Sequence, residues 1–506
     1  MRYWKAFSGA VAVAAVTAFA AAAGAAEANV TLTRVSSDTF TNTTSQHATE
    51  VEPDTFAHGG TVVGAFQVGR FFNGGSTSIG FARSGDGGAT WGTTGFLPDL
   101  TFSAGAAQPY ERVSDPSVAF DAKHGVWLIS SIPLLPSTVV PTVLVSRSTD
   151  DGQTWKDPVT IPPPAAKTVD LDKNWTVCDN NSGSPFRGHC YTELDNFGAG
   201  DLELMSTSTD GGLTWKPALN TANSATGIGG QPVVQPNGKV IVPILSFLGD
   251  NLLAFSSADG GTTWSTAAVF SNVVTHGVAG NLRSDPLPSA TVDAGGKVYV
   301  VWEDCRFRAN CTSNDLVIST STDGATWTAP ARIPIDATSS NVDHFIPGLG
   351  VDPASSGNSA HLALAFYYYS SANCTTATCA LFAGLVSSPD GGNSWSAPSL
   401  LAGPMTVNWL PNTVSGYMVG DYIATAFSGG KAFPVIASAR ANSGTLFDEA
   451  IFTTTSGLVA SQAQALPRVS QEFPVRSAHS DHPPRQYYDL EHRYPIRSQS
   501  APKPRD

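Results

Sequence analysis

The chain has 506 residues, of which only 14% are charged, and a net charge of −13. With 48 Gly, 34 Pro, 11 Trp and 25 Phe but only 4 Met, it is not a coiled coil, a disordered chain or a helix-rich cytosolic enzyme; it reads as a β-rich, loop-rich exported protein. The acid excess also excludes nucleic acid as a partner, because that needs a basic face.

Residues 1–28 have the parts of a signal peptide. Arg2 and Lys5 supply the positive end, residues 7–26 an Ala/Val/Phe-rich run, and Ala26-Glu27-Ala28 a cleavage site. A membrane anchor is the alternative, since the run is nearly long enough to span, but alanine makes it weakly apolar. No later segment is long and apolar enough to cross a bilayer, so a secreted protein is expected rather than an integral membrane protein. At the other end, residues 461–506 turn to Pro, Arg, His and Ser without apolar periodicity and read as a disordered tail. Removing both ends leaves 19 basic and 35 acidic residues, so the body 29–460 carries about −16.

Within that body one phrase recurs, Ser-x-Asp-x-Gly-x-Thr-Trp. It starts at Ser84, Ser148, Ser208 and Ser257, returns shortened at Ser321, and ends at Ser388 with Ser394 in place of Thr. Each copy follows a short strand-like run, such as Ser78–Ala82 or Leu316–Thr320. A polar β-run, then Asp-Gly, then an aromatic predicts a hairpin. Its Asp (Asp86, Asp150, Asp210, Asp259, Asp323 or Asp390) bonds backbone N–H groups, Gly takes positive φ, and Trp covers the turn.

The six Cys fall in three close pairs, Cys178 with Cys190, Cys305 with Cys311, and Cys374 with Cys379. Fifteen pairings are formally open, and the short spacings favour these three local disulfides. Zinc is a weak rival, since only His189 adjoins a Cys.

The repeated phrase resembles the Asp-box, or bacterial neuraminidase repeat, of sialidase-like β-propellers. The resemblance implies an all-β propeller in which each box joins the third and fourth strands of a blade, away from the active face. Successive boxes lie 64, 60, 49, 64 and 67 residues apart, and the residues before the first and after the last fill about two further repeats. That spacing favours a seven-bladed propeller with one blade lacking a box; the six-bladed sialidase ring is the alternative. The runs 420–423, 432–437 and 449–452 supply strands for the last blade, and 30–34 could return as its fourth and close the ring.

Chemistry is expected where inner strands open with acids: Glu50-Val-Glu52-Pro-Asp54, Ser114-Asp115, Ser284-Asp285, Asp343-His344 and Asp421-Tyr422. Arg70, Glu303, Asp304 and Arg306 end the strands that follow. Two carboxylates in one cleft can act as acid and base on a glycosidic bond. Such acids also suit structural Ca²⁺, or plain Arg–Asp pairing. No motif requires a cofactor or a catalytic metal. Sialidases hold the substrate carboxylate with three arginines and use a Tyr nucleophile, a supporting Glu and an acid/base Asp. The resemblance therefore implies Asp54, Tyr422 and Glu303 as catalytic residues, and Arg70, Arg283 and Arg306 as the carboxylate clamp. The family's early Arg-x-Pro phrase is absent, since Val35 and Ser36 follow Arg34. The expectation is a secreted, monomeric exo-α-sialidase type of glycosidase acting on a glycan or glycoconjugate, with a non-catalytic carbohydrate- or protein-binding propeller as the alternative.

Overall fold

Each Asp box folds into the same hydrogen-bonded turn. In the first, Ser84 Oγ donates to Asp86 Oδ1 at 2.7 Å and accepts from Gly88 N at 2.9 Å. Thr90 donates from its backbone N to Oδ1 at 2.8 Å and from its hydroxyl to Oδ2 at 2.7 Å. The boxes of Asp150, Asp210, Asp259 and Asp390 repeat all four bonds. The shortened box keeps the serine bonds and the backbone bonds to Asp323. A turn that satisfies its own donors can sit at the surface without a metal or a partner.

The computed structural model describes residues 30–460 apart from Thr445. The expected signal segment 1–28 and the tail 461–506 lie outside the described residues. Within them the fold is all-β, and the only helices are single 3₁₀ turns. None is long and apolar enough to cross a membrane.

The strands pair antiparallel in successive sets. The first comprises Gln46–His58, Thr61–Arg70, Ser76–Ser84 and Thr93–Phe96. The second is Arg112–Asp121, Val126–Leu134, Leu144–Ser148 and Lys156–Thr160. The third is Leu171–Cys178, Cys190–Asn196, Leu202–Ser208 and Leu219–Asn220. In the fourth, Gly227–Ile228 and Val233–Val234 share the partner Val240–Ser246, followed by Asn251–Ser257 and Ala268–Asn272. The fifth is Ser289–Val292, Val298–Asp304, Asp315–Ser321 and Ala331–Arg332. The sixth is Asp343–Val351, Leu362–Tyr369, Ala380–Ser388 and Ser399–Thr406. The last has Ala424–Ser428, Lys431–Ala439 and Glu449–Thr454, and its outer partner is Leu32–Arg34 from the start of the body. Leu32 faces Thr454 and Arg34 faces Phe452. In the first six sets the box joins the third strand to the fourth.

Sheets apolar on both faces must bury both, which explains the low charge. Six apolar clusters lie between neighbouring sets, and each takes one box indole: Trp91, Trp155, Trp215, Trp264, Trp327 and Trp395. Trp155, Trp215, Trp264 and Trp395 are buried, and each such indole removes roughly 200 Å² from water, while Trp91 and Trp327 are half-buried. Gly88 shows why the box demands glycine: its φ is +86°, and a Cβ there would strike the Phe433 ring of the last set. The box thus fastens its own set to the one before it. Cys178–Cys190, Cys305–Cys311 and Cys374–Cys379 form the three local disulfides. The innermost strand of every set contributes to the lining of one axial channel of about 280 Å³, including Asp54, Val118, Thr176, Val233, Ala290, Gly350 and Thr425. The arrangement is all-β and fits the propeller that the Asp boxes imply.

Candidate functional site

The box ends the third strand of a set. The start of the first strand and the end of the second therefore lie at the opposite end of the channel, and there the inner strands are distorted in concert. The ladder slips between Val51 and Asp54, Ser114 and Ser117, Asp172 and Asn174, and Phe345 and Gly348. At each slip a residue with a side chain takes left-handed backbone: Glu52 at φ 54°, Asp115 at 50°, Lys173 at 38° and Ile346 at 51°. Bulges re-aim side chains, and strain of this sort is held where the surroundings fix it. Proline, which has no donor for a ladder, follows three of the four, at Pro53, Pro116 and Pro347.

The bulges feed one buried polar network. Arg283 grips Asp421 with two donors, Nε to Oδ1 at 2.7 Å and Nη2 to Oδ2, and both side chains are almost fully buried. Asp421 N donates to Glu52 Oε1 at 3.1 Å. Gln67 donates to Glu52 and, at 2.9 Å, to Ser114 Oγ, and it accepts from Arg70 Nη1 at 2.8 Å. Ser114 in turn donates to Asp115 at 2.9 Å. Gly420 makes this approach possible: at φ +138° a Cβ would lie 2.8 Å from Glu52 Cα.

Tyr422 lies next to the pair, fully enclosed. Its O–H donates to the Pro116 carbonyl at 3.0 Å, and its ring meets Trp175 edge-on at 5.2 Å. The Lys173 ammonium lies 3.6 Å from the Tyr422 ring centroid and 3.7 Å from Asp115 Oδ2. Burial, then the charges of Asp115, Glu52, Asp54 and Asp421, hold the phenol well above its ordinary pKa. Asp54 lines the channel, accepts from Val118 N at 2.6 Å, and is pushed up to about 7 by burial.

Beside Arg283 a second cavity, of about 670 Å³, opens between the fourth and fifth sets. Arg283, Ser284, Asp285, Glu303, His276 and Asn310 give it polar walls, and Leu245, Phe247 and Val278 apolar ones. Glu303 accepts from Ser284 Oγ at 3.1 Å and from Ile346 N at 3.4 Å. Burial first, then the charge of Asp343, with a smaller push from Asp285, raises Glu303 to about 8. Asp343 Oδ2 lies 3.5 Å from His276 Nδ1. At neutral pH this cavity presents a protonated carboxylic acid within the field of a second, partly exposed carboxyl.

Of the six residues named from the sequence, the structure pairs Arg283 with Asp421, next to Tyr422, links Arg70 to that pair through Gln67 and Glu52, and sets Glu303 with Arg283 along the cavity. Asp54 is inside the channel. Arg306 stands apart, bound to Asp304 by Nε–Oδ1 at 2.9 Å and Nη2–Oδ2 at 2.6 Å, and to the Asn272 carbonyl. Sequence reasoning missed Lys173, which no motif marks. It also missed a buried row of acids on the third set, where Asp195 faces Asp172 on one side and Glu203 on the other, with Glu193 two residues along. Burial raises Glu193, Asp195 and Glu203, and Glu193 adds to the rise of Glu203. The in-strand prolines were the available signal for the bulges. Asp315, Asp336 and His344 bring possible metal-ligand atoms within 4.8 Å of one another. Arg308 and Arg332 already occupy both carboxylates, at 2.5–2.9 Å.

Residues 60–284 match the family described as BNR repeat-like domain. No curated protein matches the chain. Among solved structures, it is similar to the Hadza microbial sialidase Hz136 at 16% identity and TM-score 0.44, over 70% of this chain and 66% of that one. It is similar to a polysaccharide lyase, an ulvan lyase, at 11% identity and TM-score 0.49, over 84% and 95%. The α-L-arabinofuranosidase Arb93A of Fusarium graminearum is similar at 14% identity and TM-score 0.42, over 74% and 98%. In its six Asp boxes and the matched segment 60–284, the chain is similar to the sialidase-like, BNR-repeat superfamily.

Proposed function

We propose that this protein is a secreted glycan-directed glycosidase working in the cavity beside Arg283, with Glu303 as the proton donor and Asp285 as the partner carboxylate. One observation carries the reading: Glu303 lines a cavity of about 670 Å³, where burial, ahead of the charge of Asp343, pushes its carboxyl up to about 8. A glycosidic oxygen must be protonated as it leaves, and an acid still protonated at working pH can do this. Arg283 and Asp421 fix the strand entry that presents Ser284 and Asp285. Three disulfides suit an extracellular setting. In this reading the strand sets are seven blades, closed by Leu32–Arg34 against Glu449–Thr454.

The exo-α-sialidase form of the reading is favoured by the placement of Tyr422 one residue beyond the carboxylate that Arg283 grips. It asks more of the protein. Arg283 would have to leave Asp421 for the substrate, Arg306 would have to leave Asp304, and Tyr422 would have to release Pro116. The carboxyl pair of the cavity needs none of these movements.

Release of fluorophore from a panel of aryl glycosides by wild type and Glu303→Gln tests the proposal. Wild-type turnover that falls by about 10²–10⁴ in the variant supports it. Turnover that ignores the substitution rejects Glu303 as the acid. Glycan retention without any turnover assigns the protein to the binding class instead.

A further inference from the structure

We infer that the cavity beside Arg283 has a redox-sensitive wall: a dithiol that opens Cys305–Cys311 and Cys374–Cys379 frees residues 274–280, which help to enclose it. The inference stands apart from the glycosidase reading and holds whatever the cavity takes. Residues 273–288 link the last strand of the fourth set to the first of the fifth and contain no strand. A connection of this length is uncommon in a compact fold, and its neighbours must fix it. Positions 275–278 and 281–287 line the cavity.

The two disulfide loops hold the half 274–280. Cys305 N donates to the Val274 carbonyl at 2.7 Å. Asn314, three residues beyond Cys311, accepts from His276 N at 2.7 Å and donates to the His276 carbonyl at 2.8 Å. Asn310 and Cys311 take left-handed backbone, at φ 59° and 53°, which the closed disulfide loop keeps in place, and both line the cavity. From the sixth set, Thr376 Oγ1 donates to the Gly280 carbonyl at 3.1 Å. Cys379 Sγ packs so closely there that a Cβ on Gly280 would lie 2.7 Å from it. The other half is fixed without cysteine. Tyr417 N donates to the Asn281 carbonyl and Arg283 N to the Tyr417 carbonyl, both at 2.8 Å, and Asp421 anchors the Arg283 side chain. Access for a reductant also differs. Cys311 and Cys374 are only half-buried, whereas Cys178 and Cys190 are both buried. At each accessible disulfide a thiolate of the dithiol attacks sulfur and the Sγ–Sγ bond breaks. Two cysteine thiols form, two electrons and two protons pass to the protein, and the dithiol leaves as a cyclic disulfide.

The test titrates the full chain with dithiothreitol under native conditions and fixes the thiols with iodoacetamide. Mass spectrometry counts them and maps the cuts made by subtilisin. Four thiols are expected to appear before Cys178–Cys190 opens. In that form cutting within 274–280 should be about tenfold or more faster than in the oxidised chain, with 283–288 no more readily cut. The Cys374→Ser/Cys379→Ser double variant, without reductant, should already be cut faster within 277–280. The inference is overturned if Cys178–Cys190 opens first, if all three disulfides resist the dithiol, or if cutting within 274–280 is unchanged in the four-thiol form. Cutting that speeds up throughout the body overturns it as well, and so does an unchanged pattern in a folded double variant. If the double variant does not fold, the wild-type titration decides. Turnover is not read, so the proton-donor role of Glu303 stands or falls separately.

Discussion

The two ends of the strand sets treat the same functional group in opposite ways. At the box end, Asp86, Asp150 and Asp323 lie at the surface with carboxyls held down to about 2. For Asp86 and Asp150 the neighbouring Thr hydroxyl is the main cause, and for Asp323 it is the Thr326 backbone N–H. At the mouth, Glu50 and Asp54 are pushed up to about 7 and Glu303 to about 8, each by burial first. A box aspartate is saturated with donors and can do nothing further. A mouth carboxyl is short of donors and retains a proton it can give away. Carboxyls held ionised and carboxyls kept protonated in one fold are told apart by their donors and solvent, not by residue type.

The sharpest way to break the comparison is to remove one acid from each end and read turnover. Glu303→Gln keeps the shape and the Ser284 contact but cannot supply a proton, so hydrolysis is expected to fall by about 10²–10⁴. Asp210→Asn, at the box end, should leave the rate unchanged. A rate that follows the box and ignores Glu303 would put the chemistry elsewhere.

Stability against pH reads both ends at once. The mouth groups bind protons more tightly folded than unfolded, so their contribution is whole below about pH 4.5 and is lost as pH rises toward about 7 to 8. The box aspartates do the reverse: their contribution is present above about 3.8 and is lost as pH falls toward 2. Thermal unfolding should therefore show a maximum at about pH 4–5, with a loss of a few kcal/mol toward pH 8 as buried carboxyls ionise. Glu50→Gln should flatten the alkaline limb. A midpoint that rises from pH 5 to 8 would mean that the mouth acids are solvated.

How much of this the sequence revealed follows from the range of the interactions. The boxes were legible because Ser, Asp, Gly, Thr and Trp act within eight residues, and their bonds are local. The three disulfides were legible for the same reason. The pairing of Leu32–Arg34 with the last strands was anticipated from arithmetic on the repeat. The site was harder. Arg283 and Asp421 are 138 residues apart, and only the fold discloses that they neutralise each other. Arg306 resembled a ligand-binding arginine in the sequence, yet Asp304, two residues before it, occupies it. Lys173 and the acid row of Asp172, Asp195 and Glu203 are aligned by strand register, and register leaves no local motif.

Tyr422 gives a smaller effect that separates two chemistries. Tyr422→Phe keeps a ring beneath Lys173 and removes one hydroxyl, leaving the Pro116 carbonyl without its donor. The expected cost is about 1–2 kcal/mol of stability. If the carboxyl pair of the cavity does the work, kcat stays within a few-fold of wild type. If the phenol is the nucleophile, kcat collapses while the thermal shift remains the same.

The smallest effect belongs to a box. Asp390→Ala removes three acceptor contacts, from Ser388 Oγ at 2.9 Å, Ser394 N at 2.8 Å and Ser394 Oγ at 2.6 Å. The site is half-buried, and water replaces part of what is lost, so the expected cost is about 1 kcal/mol. The turn also retains the bond from Gly392 N to Ser388 Oγ, and Trp395 stays in its cluster. Urea unfolding should show a slightly lower midpoint with an unchanged slope, because the surface exposed on unfolding is the same. A changed slope would mean that the box holds neighbouring sets together through its carboxylate rather than through its indole and glycines.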